Sequence, residues 1–266
     1  MIKKFLAFAV VAALFVACGP SDEPDPTPGG NGNNTENPTP EPEPEPEPEF
    51  EGLVKIDGNF DDWAALTEEQ YVVSTLPTEG TMQYPVIKTF KMHADEMYIY
   101  IYIDFDARGF YNATDDAWTP ANKLDIFFDE DNNPETGRLY GWSSCSSILM
   151  QGTFDGTTTP YDPGCKLYTG EDMVADWSWE DLGLFGFMNA IIPVEIGENL
   201  KAFECALLRP MLGFEMAETI GVGVLVETAD WKHIGHLPQN SMEQIEADGG
   251  VNAPMLYITL PAMAEE

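Results

Sequence analysis

Apolar residues fall along this chain in three regimes. Behind Lys3 and Lys4, Phe5 to Val16 is an almost unbroken apolar run. Residues 19–51 carry no aliphatic or aromatic side chain except Phe50. From residue 52 onward, short β-favouring runs alternate with turn-forming clusters: Val86 to His93, Met97 to Phe105, Lys123 to Asp129, Lys201 to Leu208, Ile220 to Thr228 and Leu256 to Leu260. No stretch keeps a helical period over a dozen residues, although Asp61 to Ala65 and Ser241 to Ala247 suit short helical turns. Many strands with turn punctuation predict an all-β fold, a two-sheet antiparallel β-sandwich with short helical turns. In Met97-Tyr98-Ile99-Tyr100-Ile101-Tyr102-Ile103, alternation places Met97 and the isoleucines on a core face and three tyrosines on the other. That tyrosine face is either a sugar-stacking platform or a set of cross-strand partners covered by a loop.

The first apolar run is about a dozen residues, short for a membrane span and suited to the apolar part of a signal peptide. It ends in Phe15-Val16-Ala17-Cys18, which resembles a bacterial lipobox, where the cysteine is acylated and becomes the first residue of the mature protein. Residues 1–17 are therefore read as a lipoprotein signal peptide and Cys18 as the lipidation site. Gly19-Pro20-Ser21-Asp22-Glu23 is similar to the acidic export tag of Bacteroidota lipoproteins, implying a lipid-anchored protein of the outer membrane that faces outward. Residues 18–51 are an acidic, Pro-rich linker ending in a Glu-Pro alternation. With nothing to bury, it is expected to be a disordered, extended stalk. At roughly 3.1 Å per residue it would reach about 100 Å. Residues 52–266 then form one domain.

Charge narrows the partners. Of 12 basic residues two leave with the leader, and ten of the 46 acidic residues lie in the stalk. Residues 52–266 therefore carry ten basic and 36 acidic side chains, a net −26. Such a surface repels phosphate backbones and polyanionic glycans, so no nucleic acid is expected as partner, and the membrane is met through the lipid anchor only. Neutral oligo- or polysaccharides and divalent cations remain compatible. Three cysteines are left besides Cys18. Cys145 and Cys165 flank a Gly/Thr/Pro-rich segment in an oxidising compartment and are expected to pair, closing a loop of about 20 residues worth roughly 3 kcal/mol. Cys205 alternates with Phe203 and Leu207 and reads as core.

Asp129, Asp131 and Asn133 place oxygen donors at alternate positions, as in the first half of a calcium loop. Pro134 stands where such loops have glycine and Tyr140 where they have the bidentate glutamate, so further ligands must come from elsewhere. His233 and His236 lack a third metal ligand at a defined spacing and read as loop histidines. Met92 and His93 point to opposite faces of a strand and cannot share one iron. There is no Gly-x-Ser-x-Gly, phosphate loop or His-Glu-x-x-His, so no catalytic motif marks the chain as an enzyme.

Ile56-Asp57-Gly58 with Asp61-Asp62-Trp63, the Met97–Ile101 strand, Leu124-Asp125-Ile126-Phe127-Phe128-Asp129-Glu130-Asp131-Asn132-Asn133, Phe203 to Gly213, and Ile220-Gly221-Val222-Gly223-Val224 occur in that order. The succession resembles carbohydrate-binding module family 9, over roughly residues 53–260. The resemblance implies the sandwich fold, a structural calcium, and a sugar site in which Trp118 precedes the Asp125 strand and Asp125 accepts sugar hydroxyls. The family's second tryptophan has no counterpart in Gly249 to Pro254, and Trp231 in the preceding loop is the substitute. Trp63, Trp177 and Trp179 are read as structural. Two functions are carried forward: a non-catalytic glycan-binding surface lipoprotein in polysaccharide capture, and an interaction or adhesion lipoprotein using the same sandwich without a sugar.

Overall fold

A computed structural model describes residues 52–106, 111–112, 117–118, 122–133, 135–154, 161–184, 186–193, 200–214 and 217–263, all within the compact unit Glu49–Glu266. The signal peptide, Cys18 and the stalk lie outside the described residues. In chain order the elements are α1 (Asp61–Ala65), β1 (Tyr71–Thr75), β2 (Ile87–Ala94), β3 (Tyr98–Phe105), β4 (Tyr111–Asn112), β5 (Ala117–Trp118), β6 (Asn122–Asp129), β7 (Arg138–Leu139) and β8 (Cys145–Ser146). They continue as β9 (Ile148–Phe154), β10 (Asp162–Tyr168), β11 (Trp179–Asp181), β12 (Phe187–Pro193), β13 (Leu200–Leu208), β14 (Thr219–Glu227), β15 (His233–Leu237), α2 (Met242–Ala247) and β16 (Leu256–Thr259).

The predicted sandwich is the observed fold. One antiparallel sheet runs β1-β2-β3-β13-β12. The other runs β11-β10-β9-β6-β14, and the far edge of β14 is shared. Thr219 to Val222 pair with β16, and Val224 to Glu227 pair with β15. Strict alternation explains the layering. On β6, Leu124, Ile126 and Phe128 enter the core. On β14, Ile220, Val222, Val224 and Val226 do so. They meet Phe90, Met92, Ile99, Ile101, Ile103, Phe105, Phe203, Cys205 and Leu207 from the facing sheet. Full burial of each large apolar side chain contributes about 1.5–3 kcal/mol. A one-residue slip of β6 or β14 would drive Asp125, Asp129 or Glu227 inward, so the register is firmly set.

The tyrosine face is covered. Tyr100 is fully buried with Val54, Trp63 and Ala206, and Ile56, Phe60, Leu66, Tyr98, Tyr102 and Met188 pack around them. The segment before β1 thus lies over the outer face of the first sheet, which rules out a platform there. Met97 precedes β3 and is exposed, contrary to its predicted core position.

The expected Cys145–Cys165 bridge is not present; both are free, buried thiols. Cys165 pairs in register with Met150 and faces the core between the sheets, whereas Cys145 sits on β8 with its Sγ 3.7 Å from Met173 Sδ. The segment read as a linking loop is largely the β9/β10 hairpin, which holds the two side chains in different environments. Burial pushes both thiols up, Cys165 to about 11, which keeps them protonated and poorly nucleophilic.

Candidate functional site

The outer face of the second sheet carries the chemistry. Leu149, Phe127 and Leu225 form an apolar floor there with Trp142 and Met255. The sequence makes room for the covering rings with glycine: a Cβ on Gly223 would lie 2.5 Å from the Trp142 ring, and one on Gly221 2.7 Å from Tyr257. The alternation Ile220-Gly221-Val222-Gly223-Val224 is therefore a core face backed by two seats for aromatic side chains.

Beyond that floor, three polar side chains stand on neighbouring strands: Gln151 on β9, Asp125 on β6 and Glu227 on β14. Asp125 lies opposite Gln151 on one side and Leu225 on the other, with Glu227 two residues further along β14. Gln151 Nε2 donates to Asp125 Oδ2 at 3.0 Å, and Lys166 Nζ donates to Gln151 Oε1 at 3.2 Å. Asp125 is only 2 % exposed, yet among the described residues its Oδ1 has no hydrogen-bond partner. Burial above all, with the Glu227 carboxylate adding to it, pushes Asp125 up to about 7 against the pull of the Gln151 hydrogen bond. Glu227 Oε1 lies 2.8 Å from His233 Nε2, which is also 2.6 Å from the Tyr140 hydroxyl.

Aromatic walls rise around these groups. Asp125, Gln151, Glu227, Arg138, Tyr140, Trp177 and Trp231 enclose an open cavity of about 510 Å³, within the roughly 300–1,000 Å³ typical of small-molecule sites. Trp231 sits in the β14/β15 turn at φ +64°, a left-handed conformation uncommon for a large side chain. Its N–H donates to the Thr228 carbonyl at 3.0 Å, and the Lys123 ammonium lies over its ring. Trp177 meets Tyr140 edge-on at 5.1 Å, and the Arg138 guanidinium stands 5.2 Å from its ring centre while donating to the Met173 carbonyl. Trp177 is 46 % and Trp231 56 % exposed, so each ring keeps open surface, on Trp231 apart from the face under Lys123. Two carboxylates, an amide, a guanidinium and a phenol beside exposed indoles can hydrogen-bond the hydroxyls of a ring whose C–H face packs on an aromatic side chain.

The structure thus brings together Asp125 and Trp231 of the expected sugar residues. Trp118 lies on β5, paired with Tyr111 of β4, and its side chain is outside the described portion. Trp177 corrects its structural reading: it is a cavity wall. Trp63 and Trp179 are buried and half-buried packing residues. Gln151 and Glu227 were missed because β9 was not recognised as a strand and Glu227 closes an otherwise apolar run. His233 and His236 lie on β15, not in a loop.

The acidic loop after β6 is partly assembled. Asp129 Oδ1 and Asp131 Oδ1 both accept the Asn133 N–H, at 3.2 and 3.0 Å, so the two carboxylates converge. The Asn133 carboxamide oxygen is turned to the Glu135 N–H at 3.1 Å. The aspartates fit a hard cation, and Asn133 would have to rotate to join them. Among the described residues no group of three or more His, Cys, Asp or Glu is disposed to hold a metal.

No protein-family model matches this chain, and no curated protein is significantly similar to it.

Proposed function

We propose that this protein is a non-catalytic glycan-binding lipoprotein, anchored through Cys18 to the outer membrane, facing outward, and taking part in polysaccharide capture. The observation that carries this reading is the Oδ1 of Asp125, without a partner among the described residues, at the base of a cavity walled by Trp177 and Trp231. A buried acceptor without a partner costs about 1–3 kcal/mol, and a ligand hydroxyl removes that cost. The net charge of the domain favours a neutral oligo- or polysaccharide over an anionic one. The resemblance to carbohydrate-binding module family 9 supports the same reading and adds Trp118 as a further sugar-binding residue. It also adds a structural calcium at Asp129, Asp131 and Asn133. Asp125 and Glu227 rise side by side from one sheet surface, an arrangement suited to holding hydroxyls.

A glycan array probed with the wild type and Asp125→Asn tests the proposal. The expected result is a neutral-glycan signal that the variant loses. Binding to none of the neutral glycans sinks it in favour of the interaction-protein reading, and release of new reducing ends sinks its non-catalytic part. For the anchor, Cys18→Ala is expected to leave the protein unprocessed or soluble, and protease added to intact cells is expected to shave the wild type.

A further inference from the structure

A second cavity opens on the same sheet face, next to the first. It encloses about 190 Å³ between Tyr84, Tyr140, Trp142, His233 and His236, with Asn252 among its lining residues. Tyr140 is a wall of both cavities, and His233 ties them together through its contacts with the Tyr140 hydroxyl and Glu227.

His236 is the unexplained group here. It is 7 % exposed, and among the described residues its Nε2 has no hydrogen-bond partner. The ring is wedged edge-on against Trp142 at 4.4 Å and Tyr84 at 6.0 Å. Gly141, which also lines the cavity, faces that nitrogen: a Cβ there would stand 3.2 Å from Nε2. Gly141 takes φ +81°, and without a side chain it presses no Cβ on the buried Nε2. Burial pushes His236 down to about 3, so the imidazole stays neutral. The lining holds no carboxylate, ammonium or guanidinium among the described residues, so a charged ligand would leave its charge unpaired. What fits is a neutral ring that offers hydroxyls to one imidazole nitrogen and carboxamides, and C–H faces to aromatic walls. The volume lies below the roughly 300 Å³ at the lower end of small-molecule sites, room for one ring and not a chain.

We propose that the His236 cavity is a second sugar subsite, taking one neutral sugar unit of an oligosaccharide whose neighbouring unit lies against Asp125. This rests on the glycan-binding reading of the Asp125 cavity and extends it. The ligand becomes an oligosaccharide bound across the shared Tyr140 wall.

The test is calorimetric titration of the intact protein with neutral gluco-, manno- and xylo-oligosaccharides from mono- to hexasaccharide. Wild type is compared with His236→Phe, which keeps the aromatic packing and removes Nε2. Asn252→Trp, at an exposed lining position, obstructs the cavity without touching the core. Lengthening the ligand by the unit that fills the second subsite is expected to tighten wild-type binding about three- to tenfold. Both variants are expected to lose that increment and keep their affinity for the shorter sugar. In wild-type protein carrying ¹⁵N-labelled histidine, the His236 ring signals are expected to move only with ligands long enough to reach it. If both variants keep the wild-type length dependence, or the His236 signals ignore every bound oligosaccharide, the second subsite is overturned while Asp125-dependent binding stands. If no oligosaccharide binds the wild type, both readings fall together.

Discussion

Trp63 and Glu204, 141 positions apart, share a buried hydrogen bond: the indole Nε1–H donates to Glu204 Oε2 at 3.0 Å. The other oxygen of the same carboxylate accepts the Asp57 and Gly58 N–H groups at 3.1 and 2.7 Å. Glu204 projects from the outer face of β13 and fastens the whole segment before β1 over Tyr100. Gly58 takes φ +81° to present its N–H, which is why glycine suits that position.

Glu204→Gln and Trp63→Phe are each expected to destabilise the domain by about 1–3 kcal/mol, since each leaves a buried polar partner unsatisfied or weakly paired. Urea unfolding measures this. The double variant should lose less than the sum of the two, because both changes break one hydrogen bond. Additive losses would mean the two side chains act independently.

Asp125 makes stability fall as pH rises. Its folded value of about 7 exceeds the ordinary 3.8, so the folded state holds the proton through a window where the unfolded chain has released it. Stability is fully present below about pH 4 and declines toward pH 7, by an amount on the order of a few kcal/mol. Asp125→Asn should flatten this dependence in unfolding curves recorded across that range. If the variant keeps the wild-type slope, Asp125 does not titrate as described.

Trp177→Ala and Trp231→Ala should each weaken glycan binding several-fold, because stacking on an aromatic face is worth about 0.5–1.5 kcal/mol. Both rings are largely exposed, so melting temperatures should move little. A large drop in melting temperature with binding unchanged would make them packing residues.

Most of the fold was legible because strands such as β3, β6, β13 and β14 alternate apolar and other residues cleanly, and each was located to within a residue. The β9/β10 hairpin was not, since Gly152, Pro163 and Gly164 obscure its alternation. Gln151 depended on that hairpin and the histidines on β15, while Glu227 at the end of β14 was passed over as the close of an apolar run. Asp125 was named through the resemblance to carbohydrate-binding module family 9, not through the pattern of its own strand. Trp177 carried no local signal, because its exposure is decided by how the segment before β11 folds across Tyr168 and Tyr140.

Gly223→Ala should be costly despite its small size. The added methyl carbon meets the Trp142 ring at 2.5 Å, and the ring is buried, so either it or the strand must shift. Overpacking of this kind costs about 1–3 kcal/mol. Thermal unfolding is the measurement, and an unchanged melting temperature would show that Trp142 moves freely.

Calcium at millimolar concentration is expected to raise the melting temperature relative to EDTA, and Asp131→Asn to reduce the difference. An ion present at 100 times its dissociation constant adds about 2.7 kcal/mol. Equal melting temperatures with and without calcium would remove the ion from this loop.

The seating of Trp142 and Tyr257 on Gly223 and Gly221 also bears on the speed of recognition. Trp142 is a wall of the His236 cavity, keyed into the sheet beneath it, so its position is set before any sugar arrives. Little conformational freedom is then surrendered on that side at encounter, and association should follow single-exponential kinetics without a slow rearrangement phase. In this reading discrimination among sugars resides in how long each one stays.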